Sequence, residues 1–371
     1  MSDEGRILTN IACWSPDSEW LVYDTRPDRE GSVFEGSVIE LLRVKTGEVR
    51  RVFESKNGAH CGVATFHPSE NKVIFIHGPE NPTPEWSYEP SHRQGMIVNV
   101  DAPQAPLPLD ARDLTPPGTP GALRGGSHVH VWHPKGDWLS FTYNDALENP
   151  QVREVGVCFP KAVSVPKSHP RNHDGTHFSF LATKSTPSPR PGSDEIRRAF
   201  EEGWVGSSRT LAFLGELAEG RIEIFLAEDL ESQKPTQRRL THTKNGVALV
   251  PRHWVRSSPE GSQLAFLMAD EAGIVQFWLV LPSTGALRQL THSAFPMASA
   301  FTWHPKGACL AIIADSSVHL VEAESGKLRR LTRKADGLLP LACVFSPDGK
   351  QIAYLRHSRG RNQIHTVASG T

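Results

Sequence analysis

The sequence predicts an all-β chain that folds as a seven-bladed β-propeller, and three observations support this. A hairpin pattern recurs along the chain, a second short motif follows most copies, and the first residues resemble a strand that the last repeat lacks. The 29 prolines and 30 glycines among 371 residues are typical of a chain with many turns. We expect one propeller domain over residues 1–371.

The recurring hairpin reads aromatic residue, Ser or His, Pro, a polar turn and an apolar strand. Proline fixes φ and the following Asp, Lys or Gly completes a tight turn, so each copy predicts two antiparallel strands. A degraded copy keeps the spacing from Trp204 to Leu211 that separates Trp14 from Leu21. The copies are WSPDSEWLVYD (14–24), FHPSENKVIFIHG (66–78), WHPKGDWLSFTYND (132–145), WVGSSRTLAFLGE (204–216), SSPEGSQLAFLMAD (257–270), WHPKGACLAIIAD (303–315) and FSPDGKQIAYLR (345–356).

A closing motif ends most units, and a third strand such as GIVQFWLVLP (273–282) lies between the hairpin and this motif. Each unit therefore holds about four antiparallel strands, which bury both faces only when the units stack radially. The closing motifs are RDLTP (112–116), RRLTH (238–242), RQLTH (288–292) and RRLTR (329–333).

The two ends of the chain complement each other. GRILTN (5–10) resembles a closing strand without its hairpin, whereas the last unit ends with RNQIHTV (361–367) and has no closing strand. We expect the first strand to complete the last blade, which removes exposed sheet edges. Residues 160–206 carry no clear copy, which leaves an eighth blade open.

Three insertions, 78–95, 144–154 and 186–206, interrupt the repeat. In a propeller, loops after second strands and loops entering first strands share one face, so we expect all three on the pocket face, as a roof over it or as surface loops. The third is rich in proline and then predicts a short helix. Ser193 would be its N-cap, with Asp194 and Glu195 in its first turn.

Composition excludes several classes of protein. The formal charge of −1 and the absence of a basic stripe argue against a nucleic-acid partner. The polar start predicts no secretory signal, and no apolar run reaches the roughly 18 residues of a membrane span. The five cysteines show no C-x-x-C spacing, which favours buried reduced thiols in a cytoplasmic protein. No nucleophile elbow, P-loop or dinucleotide motif occurs.

The histidines divide by their distance from the hairpin proline. Side chains two apart on a strand point to the same side, so residues at even offsets before the proline should line one axial pocket. That set comprises Asn10, His60, His128, His130 and His253. By contrast, His67, His133 and His304 directly precede the proline and are interpreted as turn residues.

The pair His128 and His130 is a known way to place two nitrogens on one metal ion, with His253 as a third ligand. The alternatives are that the pair packs between blades through hydrogen bonds or contacts a ligand without metal. Arg252 would bind a carboxylate in a bidentate manner, and His169 would act as a base. Asp194 and Glu195 would be helix-terminal charges or ligand-binding groups.

The hairpins with R-x-L-T closing strands resemble the TolB-type propeller repeat. The runs SHVHVWHPKGDWLSFTYND and VSVPKSHPRNHDG…PRPGSDEIRRAFEEGWVG resemble the YidR-like family of bacterial propellers, which is itself similar to oligogalacturonate lyases. This resemblance implies a seven-bladed propeller whose central histidines hold a metal ion, typically manganese. Zinc stays open as the alternative ion for these histidines.

These observations lead to three functional hypotheses. The first is a soluble cytoplasmic propeller that binds a small or oligomeric uronate-type anion in a His-lined axial pocket, with or without metal, where His60, Asn10, Asp194 and Glu195 contact the ligand. The second is a metal-dependent lyase acting by β-elimination, with Arg252 steering the carboxylate and His169 as base. The third is a non-catalytic propeller that binds another protein through its rim.

Overall fold

A computed structural model describes residues 5–147 and 153–371 of the chain. These residues form 29 β-strands and two short 3₁₀ helices, Pro90–His92 and Leu230–Ser232. The strands build seven sheets in chain order together with one separate parallel pair, so the fold is the predicted seven-bladed β-propeller. Two segments lie outside the described residues. One is residues 1–4, which belong to the start that was predicted to carry no secretory signal. The other is residues 148–152, which belong to the second predicted insertion.

The first three blades come from the N-terminal part of the chain. Blade 1 comprises Trp20–Arg26, Val38–Arg43 and Val49–Glu54. Blade 2 comprises Cys61–Phe66, Lys72–His77, Gln94–Asn99 and Leu107–Pro108. Blade 3 comprises Gly125–Trp132, Leu139–Asp145, Arg153–Val163 and Gly175–Leu181. The parallel pair, Ala111–Arg112 with Ala122–Leu123, lies between blades 2 and 3 in the sequence.

The remaining four blades follow the same strand order. Blade 4 comprises Arg198–Trp204, Leu211–Glu216, Ile222–Glu228 and Thr236–Arg239, and blade 5 comprises Arg256–Ser257, Leu264–Ala269, Val275–Val280 and Leu287–Gln289. Blade 6 comprises Thr302–Trp303, Cys309–Ala314, Ser317–Glu322 and Leu328–Arg330. Blade 7 comprises Leu338–Phe345, Gln351–Ser358 and Arg361–Ala368. The region 160–206 thus supplies strands to blades 3 and 4, and the described residues form no eighth blade.

The chain forms two compact units. The described part of unit 1 comprises Ala12–Pro187 and Arg198–Phe200, and unit 2 comprises Gly5–Ile11, Ser188–Arg197 and Glu201–Thr371. Blades 1 to 3 belong to unit 1, and blades 5 to 7 with most of blade 4 belong to unit 2.

The N-terminal strand Gly5–Ile7 belongs to unit 2 and lies along the third strand of blade 7. A Cβ atom on Gly5 would come within 3.0 Å of the backbone nitrogen of Asn362 in that strand. The strand Gly5–Ile7 therefore lies where the repeat pattern predicted.

The hairpin pattern accepts Ser or His before the proline because either side chain can accept a hydrogen bond from the turn backbone. Ser15 Oγ accepts the Trp20 N–H at 2.9 Å, and Ser346 Oγ accepts the Gln351 N–H at 3.0 Å. In the three copies with histidine, a ring Nδ1 accepts the N–H two residues later, and these pairs are His67 with Ser69, His133 with Lys135 and His304 with Lys306. All three histidines lie in the turn.

In unit 2, the closing motif stabilises the sheets in two ways. Its threonine accepts a backbone N–H from the third strand of its own blade, as Thr291 Oγ1 does from Phe277 at 2.9 Å. Its first arginine donates to carbonyl oxygens after the third strand of the next blade. These bonds join Arg238 to Pro282, Arg288 to Ala323 and Glu324, and Arg329 to Ser369.

The apolar core lies between neighbouring sheets, as expected for β-sheets with two buried faces. In unit 1, Ile74 and Phe141 belong to one buried cluster that joins blades 2 and 3. In unit 2, the rings of Phe277 and Phe301 meet edge to face at 4.7 Å in another cluster. All five cysteines are buried and free of disulfides, as the sequence predicted.

The predicted short helix at Ser193 is wrong. Ser193 lies in a turn, where its Oγ donates to the Arg190 carbonyl at 2.7 Å, and Arg198–Trp204 is the first strand of blade 4. Local charge spacing favoured a helix, but the hairpin after Trp204 requires a preceding strand, and sheet formation outweighs weak local propensity. The third predicted insertion therefore includes part of a blade.

Candidate functional site

A β-bulge separates His128 from His130 in blade 3. His128 pairs with Thr142 and Val131 with Ser140, so two residues of one strand lie opposite one residue of the other, and Val129 has φ of 58°. The strict alternation assumed in the offset argument therefore does not hold here, and that part of the prediction is wrong. Blade 2 repeats the bulge, with Val63 at φ of 54°.

His130 ends a buried chain of polar groups in unit 1. Its Nε2–H donates to Ser127 Oγ at 2.9 Å, because the Ser127 hydroxyl itself donates to Asp110 Oδ1 at 2.8 Å. Burial lowers the pKa of His130 to about 3 and raises the pKa of Asp110, so the imidazole is neutral at neutral pH. Gly95 packs against this ring, since a Cβ there would lie 2.7 Å from Nε2.

His253, the predicted third metal ligand, has both ring nitrogens engaged by backbone groups of unit 2. Nδ1–H donates to the Pro251 carbonyl at 3.0 Å, and Nε2 accepts the Leu267 N–H at 3.0 Å. Burial lowers its pKa to about 4. A metal ion at either nitrogen would displace a buried hydrogen bond, which is costly.

The predicted manganese or zinc centre therefore has no counterpart in residues 5–147 and 153–371. No three His, Cys, Asp or Glu side chains in these ranges gather closely enough to hold a metal ion. Because His253 is also saturated by backbone groups, the residues present do not fit the predicted three-histidine centre.

The other predicted residues of unit 2 already have partners. Arg252 pairs with Glu201 at 2.8 Å rather than presenting a free guanidinium, and Asn10 Oδ1 accepts a hydrogen bond from Arg256. The remaining pairs are Asp194 with Arg239 at 3.2 Å and Glu195 with Arg190 at 2.8 Å. These carboxylates thus bind neighbouring arginines instead of marking a helix terminus.

The two remaining predicted residues lie in unit 1. Nδ1 of His60 lies 3.1 Å from the Glu35 carbonyl oxygen, and its ring meets Tyr88 edge to face. Nδ1 of His169 accepts the Arg171 N–H at 3.1 Å, which gives this histidine a role in the turn.

A cavity of about 400 Å³ in unit 1 brings together residues that the sequence analysis did not select. It lies where the second strand of blade 2 runs into the predicted 78–95 insertion, beside the segment 170–173. Its lining includes His77, Trp86, His92, Arg112, Arg171 and His173. Apart from the insertion, the available signal was the polar run KSHPRNHDG before the outer strand of blade 3.

An aromatic wall forms one part of the cavity. The rings of Trp86 and His92 stack with centroids 3.7 Å apart and planes 19° apart, and Nδ1 of His92 lies 2.8 Å from the Ser87 carbonyl oxygen. The guanidinium carbons of Arg112 and Arg171 lie 5.5 and 5.9 Å from the Trp86 ring centroid. Two cations therefore lie within cation–π distance of one indole.

Arg112 is the buried cation of the cavity. Its guanidinium donates to the Gly125 carbonyl at 3.2 Å and to the Arg93 carbonyl, and these neutral acceptors do not cancel its charge. Burial lowers its pKa to about 10, with the Asp110 carboxylate acting in the opposite direction. Arg112 is thus charged at neutral pH, and the Asp110 carboxylate of the buried polar chain favours that charge.

Arg171 joins the two segments that wall the cavity. Its guanidinium donates to the Glu80 carbonyl at 2.9 Å and to the Asn81 carbonyl at 3.1 Å. The neighbouring Asn172 is also fixed by a hydrogen bond, because its Nδ2 donates to Asp113 Oδ1 at 3.0 Å. The wall is therefore fixed by hydrogen bonds rather than by regular secondary structure.

Two histidines of the lining have unsatisfied ring nitrogens. His77 is 4 % exposed, and neither of its ring nitrogens has a hydrogen-bond partner among the described residues. Nε2 of His173 likewise has none. Burial lowers the pKa of His77 and brings that of His173 to about 3. Buried polar atoms without protein partners are rare in proteins, and water, an ion or a ligand can satisfy them.

Comparison with known proteins places the chain in a family. It is 44 % identical to the "Uncharacterized protein YidR" of Escherichia coli (strain K12) over 94 % of this chain and 92 % of that protein. The chain belongs to the YidR family. A family model described as "Protein of unknown function (DUF3748)" matches residues 60–173, a segment that contains all six lining residues named above.

Solved structures share the fold at low sequence identity. An oligogalacturonate lyase in complex with manganese is 14 % identical with a TM-score of 0.59, covering 98 % of this chain and 89 % of that one. An oligogalacturonate lyase from Vibrio parahaemolyticus is 11 % identical with a TM-score of 0.62, covering 99 % and 91 %. A putative TolB from Agrobacterium tumefaciens is 15 % identical with a TM-score of 0.50, covering 90 % and 98 %.

None of the helices among the described residues is long and apolar enough to cross a bilayer.

Proposed function

We propose that the protein binds an anionic, uronate-type carbohydrate in the cavity of unit 1. The observation that carries this proposal is the position of two guanidiniums, Arg112 and Arg171, beside the stacked rings of Trp86 and His92. Guanidinium groups bind carboxylates through paired hydrogen bonds, and aromatic rings pack against the C–H faces of sugars. A cavity of about 400 Å³ is within the usual range for small-molecule sites.

The charges of the lining favour an anion. Lys56, Arg112 and Arg171 line the cavity against two carboxylates, those of Glu54 and Glu80. The lowered pKa values of His77, His92 and His173 keep these rings neutral at neutral pH. The cavity therefore has a net positive lining to which the imidazoles add hydrogen-bonding capacity.

The fold neighbours suggest the ligand class. Two of them are named as oligogalacturonate lyases, and their identities of 14 % and 11 % support a shared fold. A polyuronate is the ligand class that agrees both with these names and with the charged, aromatic lining of this cavity.

The test is titration calorimetry with trigalacturonate at low ionic strength, with its fully methyl-esterified form as the neutral comparison. We expect binding of the acid and none of the ester, because the ester has no carboxylates. R171Q should weaken binding about tenfold or more, since a charge-assisted hydrogen bond contributes about 1.5–3 kcal/mol.

R190Q is the matched control, because Arg190 is an exposed arginine of unit 2 paired with Glu195. It should bind trigalacturonate as wild type does. Equal binding of acid and ester, or no binding of any oligouronide, would overturn the proposal.

Lyase activity is a second hypothesis, favoured by the fold shared with two lyases. Elimination from a uronate needs a base at the α-proton and a group that binds the carboxylate. The sequence assigned these roles to His169 and Arg252, but neither residue lines this cavity, and Arg252 already pairs with the Glu201 carboxylate. Absorbance of unsaturated uronate during incubation with oligogalacturonides decides, and a flat trace across pH and added Mn²⁺ rejects this hypothesis.

The protein-interaction hypothesis makes a different prediction. A stoichiometric protein partner whose capture is unaffected by R171Q and by excess trigalacturonate would favour it over carbohydrate binding.

A further inference from the structure

His77 is buried in the lining of the cavity with two unsatisfied nitrogens. A neutral imidazole carries one N–H donor and one lone pair, and neither finds a partner for His77 among the described residues. Protonation without a bound anion would place a charge on a buried ring. An anionic ligand changes this balance, because a carboxylate accepts from an N–H and compensates the new charge.

The charged groups around His77 come from several segments. The outer strand of blade 1 contributes the Phe53 ring, 5.6 Å from the His77 ring and edge to face, and the same segment carries Glu54 and Lys56 at the cavity lining. The loop after the second strand of blade 2 contributes the Glu80 carboxylate and the Gly78 backbone, and both favour the protonated ring. The remaining charged or titratable lining groups are His92, Arg112, Arg171 and His173.

His173 has the opposite electrostatic environment although it lines the same cavity. Arg112 and Lys167 both disfavour a positive charge on its ring. For His77, by contrast, the neighbouring charge that affects its protonation is that of Glu80, which favours the protonated ring. Of the two histidines with unsatisfied nitrogens, His77 is therefore the one whose charged neighbour favours the protonated ring.

We infer that binding of an anionic ligand in this cavity is coupled to the uptake of one proton by His77. The inference rests on the proposed function, because it concerns the same site. By linkage, the affinity rises as pH falls through the pKa of His77 in the complex. It levels off below the pKa of His77 in the free protein, and one proton changes the affinity by at most about tenfold per pH unit.

The experiment is calorimetric titration of the full chain with trigalacturonate at pH 6.5 in buffers of different ionisation enthalpy. The slope of observed enthalpy against buffer enthalpy gives the number of protons taken up. We expect a value approaching one for wild type, together with tighter binding at pH 6 than at pH 8. H77Q should bring the proton number close to zero and flatten the pH dependence.

H173Q is the matched control. It should weaken binding through the loss of a lining group but leave the proton number unchanged. Retention of proton uptake in H77Q, or its loss in H173Q, overturns the assignment to His77.

E80Q keeps the test decisive if H77Q fails to fold, because Glu80 is exposed and its substitution leaves the imidazole in place. Loss of the Glu80 charge should move the midpoint of proton uptake to lower pH, and an unchanged midpoint contradicts the inference. Heat of binding that is independent of the buffer would refute proton coupling while the proposed function stands. Absence of binding would refute both.

Discussion

Two grooves, one in each unit, occupy the same place in the repeat but have different chemistry. Each is lined by residues that follow the closing strand of one blade and by the second, third and fourth strands of the next blade. The groove of unit 2 is about 560 Å³ in volume, and its charged lining consists of Lys244, Asp270 and Glu271. The unit 1 cavity is lined by more cations than carboxylates.

The two grooves also differ in whether the ring nitrogens of their aromatic side chains have hydrogen-bond partners. In unit 2, the indole Nε1–H of Trp278 donates to the Met268 carbonyl at 3.1 Å, so its polar atom is used by the fold. In unit 1, the long connection after blade 2 adds Trp86 and His92, and His77 beside it has unsatisfied nitrogens. The blade repeat therefore forms the groove, and the insertion turns one copy into a candidate site.

Acidification should produce the largest difference in stability between the two units. Burial lowers the pKa of His130 and His173 to about 3 and of His177 to about 4 in unit 1, whereas in unit 2 a shift of this size is found for His253. The unfolded chain protonates these rings below about pH 6.5, so stability falls from there down to the folded-state values. We expect unit 1 to lose several kcal/mol between pH 6.5 and 4, measured by hydrogen exchange of its strands.

H173Q should make this loss shallower, because one buried titrating ring is removed. H292Q, at an exposed histidine of unit 2, should leave it unchanged. Equal opening of both units on acidification would contradict the comparison.

G95A should disrupt the cavity side of unit 1. A Cβ at residue 95 would lie 2.7 Å from His130 Nε2 and 2.8 Å from Leu109 Cδ2. We expect a loss of about 3 kcal/mol in the free energy of unfolding, from overpacking and disturbance of the His130–Ser127 hydrogen bond. Urea denaturation measures it.

G47A is the reference variant for this test. Its Cβ would meet nothing within 4 Å, although its φ of 74° carries a conformational cost. G47A should lower the free energy of unfolding by only about 1 kcal/mol. A loss equal to that of G95A would mean that crowding near His130 does not cause the destabilisation by G95A.

R288A should have the smallest effect, because it breaks a feature that belongs to the repeat alone. Arg288 is exposed and donates to the Ala323 and Glu324 carbonyls of blade 6, both at 3.0 Å. We expect a loss of about 1 kcal/mol and no change in trigalacturonate binding. Thermal unfolding and calorimetry together check this, and altered binding would contradict the separation between repeat and site.

The repeat made most of the fold predictable. Ser15 and His67 precede a proline in local sequence, and each satisfies its own turn without help from distant residues. The helix expected at Ser193 failed because the sheet of blade 4 outweighed weak local charge spacing. The parity argument failed at Val129, since a bulge depends on pairing with the neighbouring strand.

The candidate site could not be predicted in the same way. His77, Arg112 and Arg171 are far apart in sequence, and the motifs that contain His77 and Arg112 predict strands rather than a shared site. His253 matched the predicted spacing, but its two nitrogens are occupied by Pro251 and Leu267, which only the folded chain brings into reach.

By itself, the sequence determined that this chain forms seven sheets of short antiparallel strands, because turn chemistry and strand alternation act over a few residues. The tertiary structure alone decided which imidazoles are satisfied by backbone groups and which have unused nitrogens in a cavity. The physical reason is that hydrogen-bond satisfaction and charge compensation depend on neighbours in space, which local patterns do not specify.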